Sequence, residues 1–211
     1  MKYKHIIWDF DGTLFDTYPI FSGTFKAALS ERGITEPQAE ILSLMKVSIG
    51  HAYKHYREKH ALDEAFFNNY KKLNKETQER DAKPYEGIAE LCKAICENGG
   101  KNYIYTHKDE SAYFYLKKFG MMECFAGGVT QEGNFPRKPA PDAILHLLDK
   151  FEISAKEALM VGDRDIDVLA GVNAGICGCY FSEGSGRRCD GAEYNVDCLV
   201  EMYGVLGIGG D

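Results

Sequence analysis

Two carboxylates separated by one residue follow the first apolar run of the chain. Residues 9–16 read Asp-Phe-Asp-Gly-Thr-Leu-Phe-Asp, directly after the apolar residues 6–8. Asp9 and Asp11 have the same parity on a strand, so both side chains are expected on one side where the strand ends. Like charges this close repel, and folded proteins tolerate them mainly where a metal ion or a reaction uses them. Because ligands of open parallel sheets bind beyond the carboxyl ends of strands, this position makes the chain an enzyme candidate.

Further polar residues follow later predicted strands. They are Thr106, His107, Lys108, Lys138, Asp163 and Asp167. Taken singly, each has an ordinary structural explanation: Thr106 as a helix N-cap, Lys138 as a solvated loop residue, and the aspartates as acids in the first turn of a helix. Their order after Asp9 and Asp11, all near strand ends, favours one shared site instead.

The positioning elements alternate between short β-rich runs and helical patterns, which predicts an α/β fold with a parallel sheet. Strands are predicted at residues 4–10, 102–106, 125–129, 158–162 and 176–181. Helices are predicted near residues 86–98, 110–119, 142–151 and 165–174, and Gly99 and Gly120 fall where helix C-terminal glycines are expected.

One segment breaks this alternation. Residues 17–83 contain amphipathic helical patterns, such as 21–32 and 64–80, and no convincing strand. A Pro- and Gly-marked connection at residues 83–87 returns the chain to the sheet. We therefore expect a core domain formed by residues 1–16 and 84–211, and an inserted helical domain at 17–83 that acts as a lid beside the strand ends.

The composition of the chain limits the kinds of partner that are expected. The net charge of −7 argues against a nucleic-acid partner, whereas a small phosphorylated substrate needs only a local positive field. No apolar run approaches the roughly 20 residues that span a bilayer, so no membrane association is expected. The seven cysteines are odd in number and include no Cys-x-x-Cys pair, so reduced thiols are expected rather than a zinc site. These features predict a cytoplasmic protein.

The ordered set of motifs resembles the haloacid dehalogenase-like superfamily, in the subgroup that carries a helical cap between its first and second motifs. Asp9-Phe-Asp11-Gly-Thr-Leu matches the first motif, Thr106 the second, Lys138 the third and Gly162-Asp163-x-x-x-Asp167 the fourth. Within it the chain is most similar to the phosphoglycolate-phosphatase-like group. The resemblance implies a Rossmann-like three-layer core with a central parallel sheet, the first strand in its middle.

The resemblance also implies roles for these residues. Asp9 is expected to be a nucleophile that forms a phosphoaspartate, and Asp11 a general acid and base. Mg²⁺ is the implied cofactor, held by Asp9, Asp163 and the backbone carbonyl of Asp11, with Asp167 supporting the site indirectly. Lys138 is expected to balance charge. The expected phosphate-binding residues are Gly12, Thr106, His107 and Lys138.

Several activities fit this pattern. The leading prediction is a Mg²⁺-dependent phosphatase acting on a small phosphorylated metabolite. A phosphomutase of the β-phosphoglucomutase type is the enzymatic alternative. A binding or regulatory protein without turnover fits less well, because all five motif residues (Asp9, Asp11, Thr106, Lys138 and Asp163) are intact. A dehalogenase fits least, because dehalogenation does not need a second carboxylate at position 11.

The predicted cap offers one group of candidate specificity residues. His51, Lys54 and His55 share a helix face at i, i+3 and i+4 and could recognise a second anionic group of the substrate. The alternative is a solvated cationic helix face. The sequence names neither the substrate nor the oligomeric state.

Overall fold

The computed structural model describes residues 1–209, which divide into two compact units. One unit comprises Met1–Phe15 together with the chain from Pro84 onward, and the other is Asp16–Lys83. Residues 210 and 211, which the predicted core domain included, lie outside the described residues. The two units are described separately below.

The first unit is built on a parallel sheet, which confirms the predicted α/β fold. In the described residues the sheet has six strands in the order β3-β2-β1-β4-β5-β6, and each neighbouring pair is parallel. The strands are β1 (His5–Trp8), β2 (Lys101–Tyr105), β3 (Phe125–Val129), β4 (Ala158–Gly162), β5 (Cys177–Phe181) and β6 (Tyr194–Val196). Strand β1 therefore lies between β2 and β4, in the interior of the sheet.

Two details of the sheet differ from the prediction. Strand β1 ends at Trp8, two residues before the predicted end, so strand alternation does not place Asp11. The edge strand β6 was not predicted, because three residues flanked by polar ones carry no readable alternation.

The first four helices of this unit follow the predicted segments, and a fifth, near the end of the described residues, was not predicted. They are α5 (Ile88–Glu97), α6 (Ser111–Lys118), α7 (Asp142–Lys150), α8 (Asp165–Asn173) and α9 (Glu201–Leu206). The buried residues of α5 are Ile88, Leu91, Cys92 and Ile95, which have the spacing of one helix face. Gly99 and Gly120 follow the C-caps of α5 and α6 at φ of 79° and 67°, as predicted.

The second unit contains helices and no strand in residues 16–83. Its helices are α1 (Tyr18–Glu31), α2 (Gln38–Val47), α3 (Ile49–His60) and α4 (Glu64–Asp81). Phe25 lies at the centre of their core, with its ring centroid 5.0 Å from that of Tyr70 and 5.4 Å from that of Phe66. Side chains cap two of these helices, because Ser48 accepts a hydrogen bond from the His51 N–H and Asp63 from the Phe66 N–H. Over residues 1–209, no helix combines the length and the apolar character that a membrane span requires.

A buried asparagine joins the central strands to their surroundings. The Asn102 side chain of β2 accepts a hydrogen bond from Trp8 Nε1 of β1 at 2.9 Å. It donates to the carbonyl of Cys92 in α5 at 3.0 Å and to that of Cys124 before β3 at 3.1 Å. Asn102 is fully buried, so these bonds are not exchanged with water. Both of these cysteines, like the other five of the chain, are free thiols.

We expect Asn102→Ala to lower the free energy of unfolding by about 3 kcal/mol, because it leaves buried donor and acceptor groups without a partner. Denaturant unfolding measures the change. Asn98→Ala is the matched control, since Asn98 is exposed and donates a local bond within its own helix, and it should cost less than about 1 kcal/mol. Equal effects of the two variants would contradict the proposed importance of the buried network.

Candidate active site

The candidate residues of the first unit lie at the carboxyl ends of adjacent strands. Asp9 follows β1, and its N–H donates to the Val161 carbonyl of β4 at 2.9 Å. Thr106 follows β2, and its N–H donates to the Val129 carbonyl of β3 at 3.0 Å. Each residue therefore stays tied to a neighbouring strand, which fixes the direction of its side chain at the edge of the sheet.

A buried lysine connects the residues at this edge of the sheet. Lys138 Nζ donates to Asp9 Oδ1 at 2.6 Å and to the Tyr105 carbonyl at 2.8 Å, and it lies 2.8 Å from Asp167 Oδ1. These three acceptors match the three N–H donors of an ammonium group. The Lys138 side chain has no exposed surface, and its Nζ lies 4.5 Å from the centroid of the Tyr105 ring. Lys138 is thus an internal cation and not a solvated loop residue.

The charge of Lys138 is set by its two carboxylate neighbours. Burial alone would lower the pKa of the Lys138 ammonium, but the charges of Asp167 and Asp9 outweigh this effect, and the pKa is raised. Lys138 is therefore positively charged at neutral pH. Burial raises the pKa of Asp167, and the ammonium of Lys138 opposes that rise.

Asp167 is held by backbone as well as by Lys138. Its Oδ2 accepts a hydrogen bond from the Arg164 N–H at 3.0 Å, at the start of α8, while Oδ1 faces Lys138. Gly162 makes room for this arrangement, because a Cβ at that position would lie 2.3 Å from the Cβ of Asp167. Both carboxylate oxygens of Asp167 are engaged, which suits the predicted supporting role better than direct ligation of a metal.

Three carboxylates are close enough to share a cation. One oxygen from each of Asp9, Asp163 and Asp167 lies within 4.8 Å of the others. Carboxylate oxygens are hard donors of the kind that Mg²⁺ and Ca²⁺ prefer. The donor set therefore fits the predicted Mg²⁺.

The segment after Asp9 forms a tight turn around one carbonyl. The Phe10 carbonyl accepts the N–H groups of Leu14 and Phe15 at 3.0 Å and that of Thr13 at 3.4 Å. Gly12 has φ of 85°, and its own N–H donates to the Phe15 carbonyl at 2.8 Å. The Gly12 N–H is thus used within the turn. The remaining contribution of Gly12 to the predicted phosphate site is the shape that it gives to this turn.

This turn, rather than strand alternation, sets the surroundings of Asp11. The Asp11 side chain keeps 25% of its surface exposed, against 3% for Asp9. Thr13, which the sequence interpretation did not single out, directs its hydroxyl at Asp163 Oδ1, 3.4 Å away. The sequence feature that could have pointed to Thr13 is its place in the first motif. Its partner, Asp163, lies 150 residues later in the chain, so the sequence does not indicate this contact.

The loop after β2 carries three polar residues with different contacts. Thr106 Oγ1 accepts the Lys108 N–H at 3.0 Å, which leaves the hydroxyl proton of Thr106 available for donation. His107 Nε2 accepts a hydrogen bond from the backbone N–H of Lys138 at 3.2 Å. Burial and the positive charges of Lys138 and Arg137 lower the pKa of His107 to about 4, so its ring is neutral at pH 7. A phosphate contact by His107 would therefore have to come from an uncharged group.

The predicted specificity residues His51, Lys54 and His55 all belong to α3 in the helical unit. His51 and Lys54 are exposed, and His55 Nε2 lies 3.9 Å from Glu40 Oε1. Their role in substrate recognition stays a prediction.

The family of the chain follows from a match over most of its length. A family model described as haloacid dehalogenase-like hydrolase matches residues 6–180. The chain belongs to this family. The match covers the strands that carry Asp9, Thr106 and Asp163, and it confirms the predicted hydrolase class.

Three curated relatives, each with a different name, align with this chain over most of their length. The chain is 27% identical to a pyrophosphatase PpaX of Halalkalibacterium halodurans over 178 residues, covering 83% of this chain and 82% of the relative. It is 28% identical to a 5'-nucleotidase of Pseudomonas aeruginosa, with 83% and 81% covered. It is also 28% identical to a phosphoglycolate phosphatase of Xanthomonas campestris, with 82% and 80% covered.

A solved structure agrees with the fold of this chain. A hydrolase from Streptococcus pneumoniae TIGR4 superimposes with a TM-score of 0.72 at 30% sequence identity, covering 99% of this chain and all of that one.

Gly162→Ala should lower the free energy of unfolding by about 1–3 kcal/mol, because the added methyl group displaces Asp167 and loosens its contact with Lys138. Thermal or denaturant unfolding measures this. The control is Gly204→Ala in α9, where an added Cβ meets nothing within 4 Å and should be neutral or slightly stabilising. A Gly162→Ala protein as stable as the wild type would refute the close packing.

His107 predicts a pH dependence of stability. Because its pKa is depressed in the fold, the unfolded chain binds a proton below about pH 6.5 that the folded chain does not bind until about pH 4. Wild-type stability should therefore fall as the pH is lowered through this window, and His107→Gln should lose less. Melting temperatures at pH 7.5 and pH 5 test this, with the exposed His146→Gln as the control. An equal loss in wild type and His107→Gln would count against a buried neutral ring.

Proposed function

We propose that this protein is a Mg²⁺-dependent phosphatase that hydrolyses a small phosphorylated metabolite through a phosphoaspartate on Asp9. The observation that carries the proposal is the placement of Asp9 at the end of the central strand. Its carboxylate is buried, bonded to Lys138 and grouped with the carboxylates of Asp163 and Asp167. A simple structural ion pair would not need a third carboxylate at this point.

Asp9 is the nucleophile in this proposal. One of its oxygens attacks phosphorus, the bond from phosphorus to the leaving-group oxygen breaks, and a mixed anhydride with the enzyme forms. Lys138 holds the carboxylate through Oδ1 in one orientation. A fixed nucleophile reduces the entropy lost on reaching the reactive geometry.

Asp11 moves the protons. In its protonated form it donates to the leaving-group oxygen in the first step. As a carboxylate it then removes a proton from water, which attacks phosphorus and releases inorganic phosphate with Asp9 regenerated. Its exposure of 25% is consistent with access to both the leaving group and water, whereas Asp9 is enclosed.

Repulsion between Asp9 and a phosphate dianion has to be offset. Two unit charges 4 Å apart repel by about 4 kcal/mol at an effective dielectric constant near 20. Mg²⁺ held by Asp9, Asp163 and the Asp11 carbonyl would supply positive charge to the phosphoryl oxygens. In this proposal Lys138 balances the buried aspartates, and the Thr106 hydroxyl donates to a phosphoryl oxygen.

The relatives support phosphate chemistry without fixing one substrate. Their names refer to pyrophosphate, nucleotides and phosphoglycolate, which all present a terminal phosphate on a small molecule. We therefore propose a small phosphorylated metabolite as the substrate class.

Asp9→Asn should reduce turnover by at least about 10³-fold, because the neutral amide is a far weaker nucleophile. The assay measures phosphate release from phosphorylated acids, sugars, nucleotides, pyrophosphate and an aryl phosphate with Mg²⁺. Asp149→Asn, an exposed carboxylate of α7, is the matched control and should retain wild-type activity. Removal of divalent cations by EDTA should abolish turnover, and added Mg²⁺ should restore it.

Each of the other outcomes has a clear meaning. No release from any ester by the wild type would refute a phosphatase, and full activity of Asp9→Asn would refute the nucleophile. Conversion of a sugar 1-phosphate to its 6-phosphate without phosphate release would indicate a phosphomutase instead. Chloride release from a haloacid would indicate a dehalogenase.

A further inference from the structure

A second lysine of the first unit is held beside the candidate acid and base. The Lys108 N–H donates to Thr106 Oγ1 at 3.0 Å, and the Lys108 carbonyl accepts the Gln131 N–H at 2.9 Å. Its side chain is only 10% exposed. The backbone of Lys108 is therefore fixed on both sides, and its side chain is largely enclosed.

The ammonium group of Lys108 faces Asp11. Nζ lies 3.6 Å from Asp11 Oδ1 and 5.5 Å from the ring centroids of both Phe10 and Tyr115. Aromatic faces attract cations, so the two rings help to hold this ammonium beside the Asp11 carboxylate. An ordinary surface lysine keeps its ammonium group in water. The ammonium of Lys108 instead lies beside two aromatic rings and Asp11.

The two lysines differ in what their charges can reach. Lys138 uses its three N–H donors on Asp9, Asp167 and the Tyr105 carbonyl, so it compensates charge inside the protein. Lys108 lies beside Asp11, the group that must approach the leaving-group oxygen if it transfers a proton there. If Asp11 does transfer this proton, the positive charge of Lys108 lies on the leaving-group side of the transferred phosphorus.

We infer that Lys108 determines specificity by attracting a negative charge on the leaving group. The favoured substrates are then small phosphate compounds whose leaving group carries a carboxylate or a second phosphate, such as 2-phosphoglycolate or pyrophosphate. This inference rests on the proposed function. An uncharged leaving group gains little from a nearby ammonium, whereas an anionic one gains a charge-assisted contact in a partly enclosed site.

The test compares two substrates that differ mainly in this charge. In 2-hydroxyethyl phosphate, a hydroxymethyl group replaces the carboxylate of 2-phosphoglycolate. Lys108→Met should lower kcat/KM for 2-phosphoglycolate by about 10- to 100-fold, the effect expected for loss of one charge-assisted hydrogen bond. It should lower kcat/KM for 2-hydroxyethyl phosphate by less than about threefold, and Lys108→Arg should preserve most of the preference.

Lys118→Met is the matched control, since Lys118 also lies 5.5 Å from an aromatic ring centroid, that of Phe119, but is exposed. It should leave both substrates unaffected. Equal losses on both substrates in Lys108→Met would overturn the inference, because they would show that Lys108 acts through Asp11 alone.

If Lys108→Met fails to fold, the wild-type protein provides an independent test. It should hydrolyse 2-phosphoglycolate more efficiently than 2-hydroxyethyl phosphate, and the ratio should shrink as ionic strength rises. Hydrolysis of both substrates without a preference would overturn the role of Lys108 and leave the proposed phosphatase intact. Failure to hydrolyse any phosphate compound would refute the proposed function itself.

Discussion

The buried contact between Lys138 and Asp9 imposes the strictest constraint on this structure. An ammonium and a carboxylate with almost no exposed surface lose most of their hydration, and only close, complete pairing offsets that cost. The acceptors around Lys138 come from the end of β1, the carbonyl of Tyr105 in β2 and Asp167 in α8. Adjacent strand ends and a helix start must therefore meet at one point. The absence of a side chain at Gly162 follows from the same requirement, because it lets Asp167 approach β4.

The same arrangement separates two electrostatic tasks. Asp9 and Asp167 share an internal cation and stand in nearly dry surroundings, so their charges act at short range. Asp11 lies in a turn instead of a strand, keeps contact with solvent and has a lysine from another loop beside it. Two carboxylates that are near neighbours in the sequence thus have different environments, which is how one protein gives chemically similar groups different reactivities.

Much of the site was readable from residue types and their order along the chain. Asp9, Lys138 and Asp163 could be predicted because parallel strands bring their carboxyl ends together, so polar residues after each strand converge. The bond from Thr13 to Asp163 and the position of Lys108 against Asp11 could not, because each depends on side-chain directions set by distant parts of the chain. The end of β1 at Trp8 was also missed, because Asp9 and Phe10 continue the apparent alternation while the Phe10 carbonyl already begins a turn. Edge strand β6 shows the limit for short segments, where pairing with β5 decides the conformation and local preference does not.

The central position of β1 has a consequence for how the chain is made. Its partners, β2 and β4, begin at Lys101 and Ala158, so the ribosome releases β1 long before either neighbour exists. The helical unit of residues 16–83 follows directly, and its contacts join segments close in sequence, which favours early folding. Ile6, Ile7 and Trp8, fully buried in the finished sheet, remain exposed during that interval. The strand that precedes Asp9 is therefore a part of the nascent protein that needs protection from aggregation until its neighbours are made.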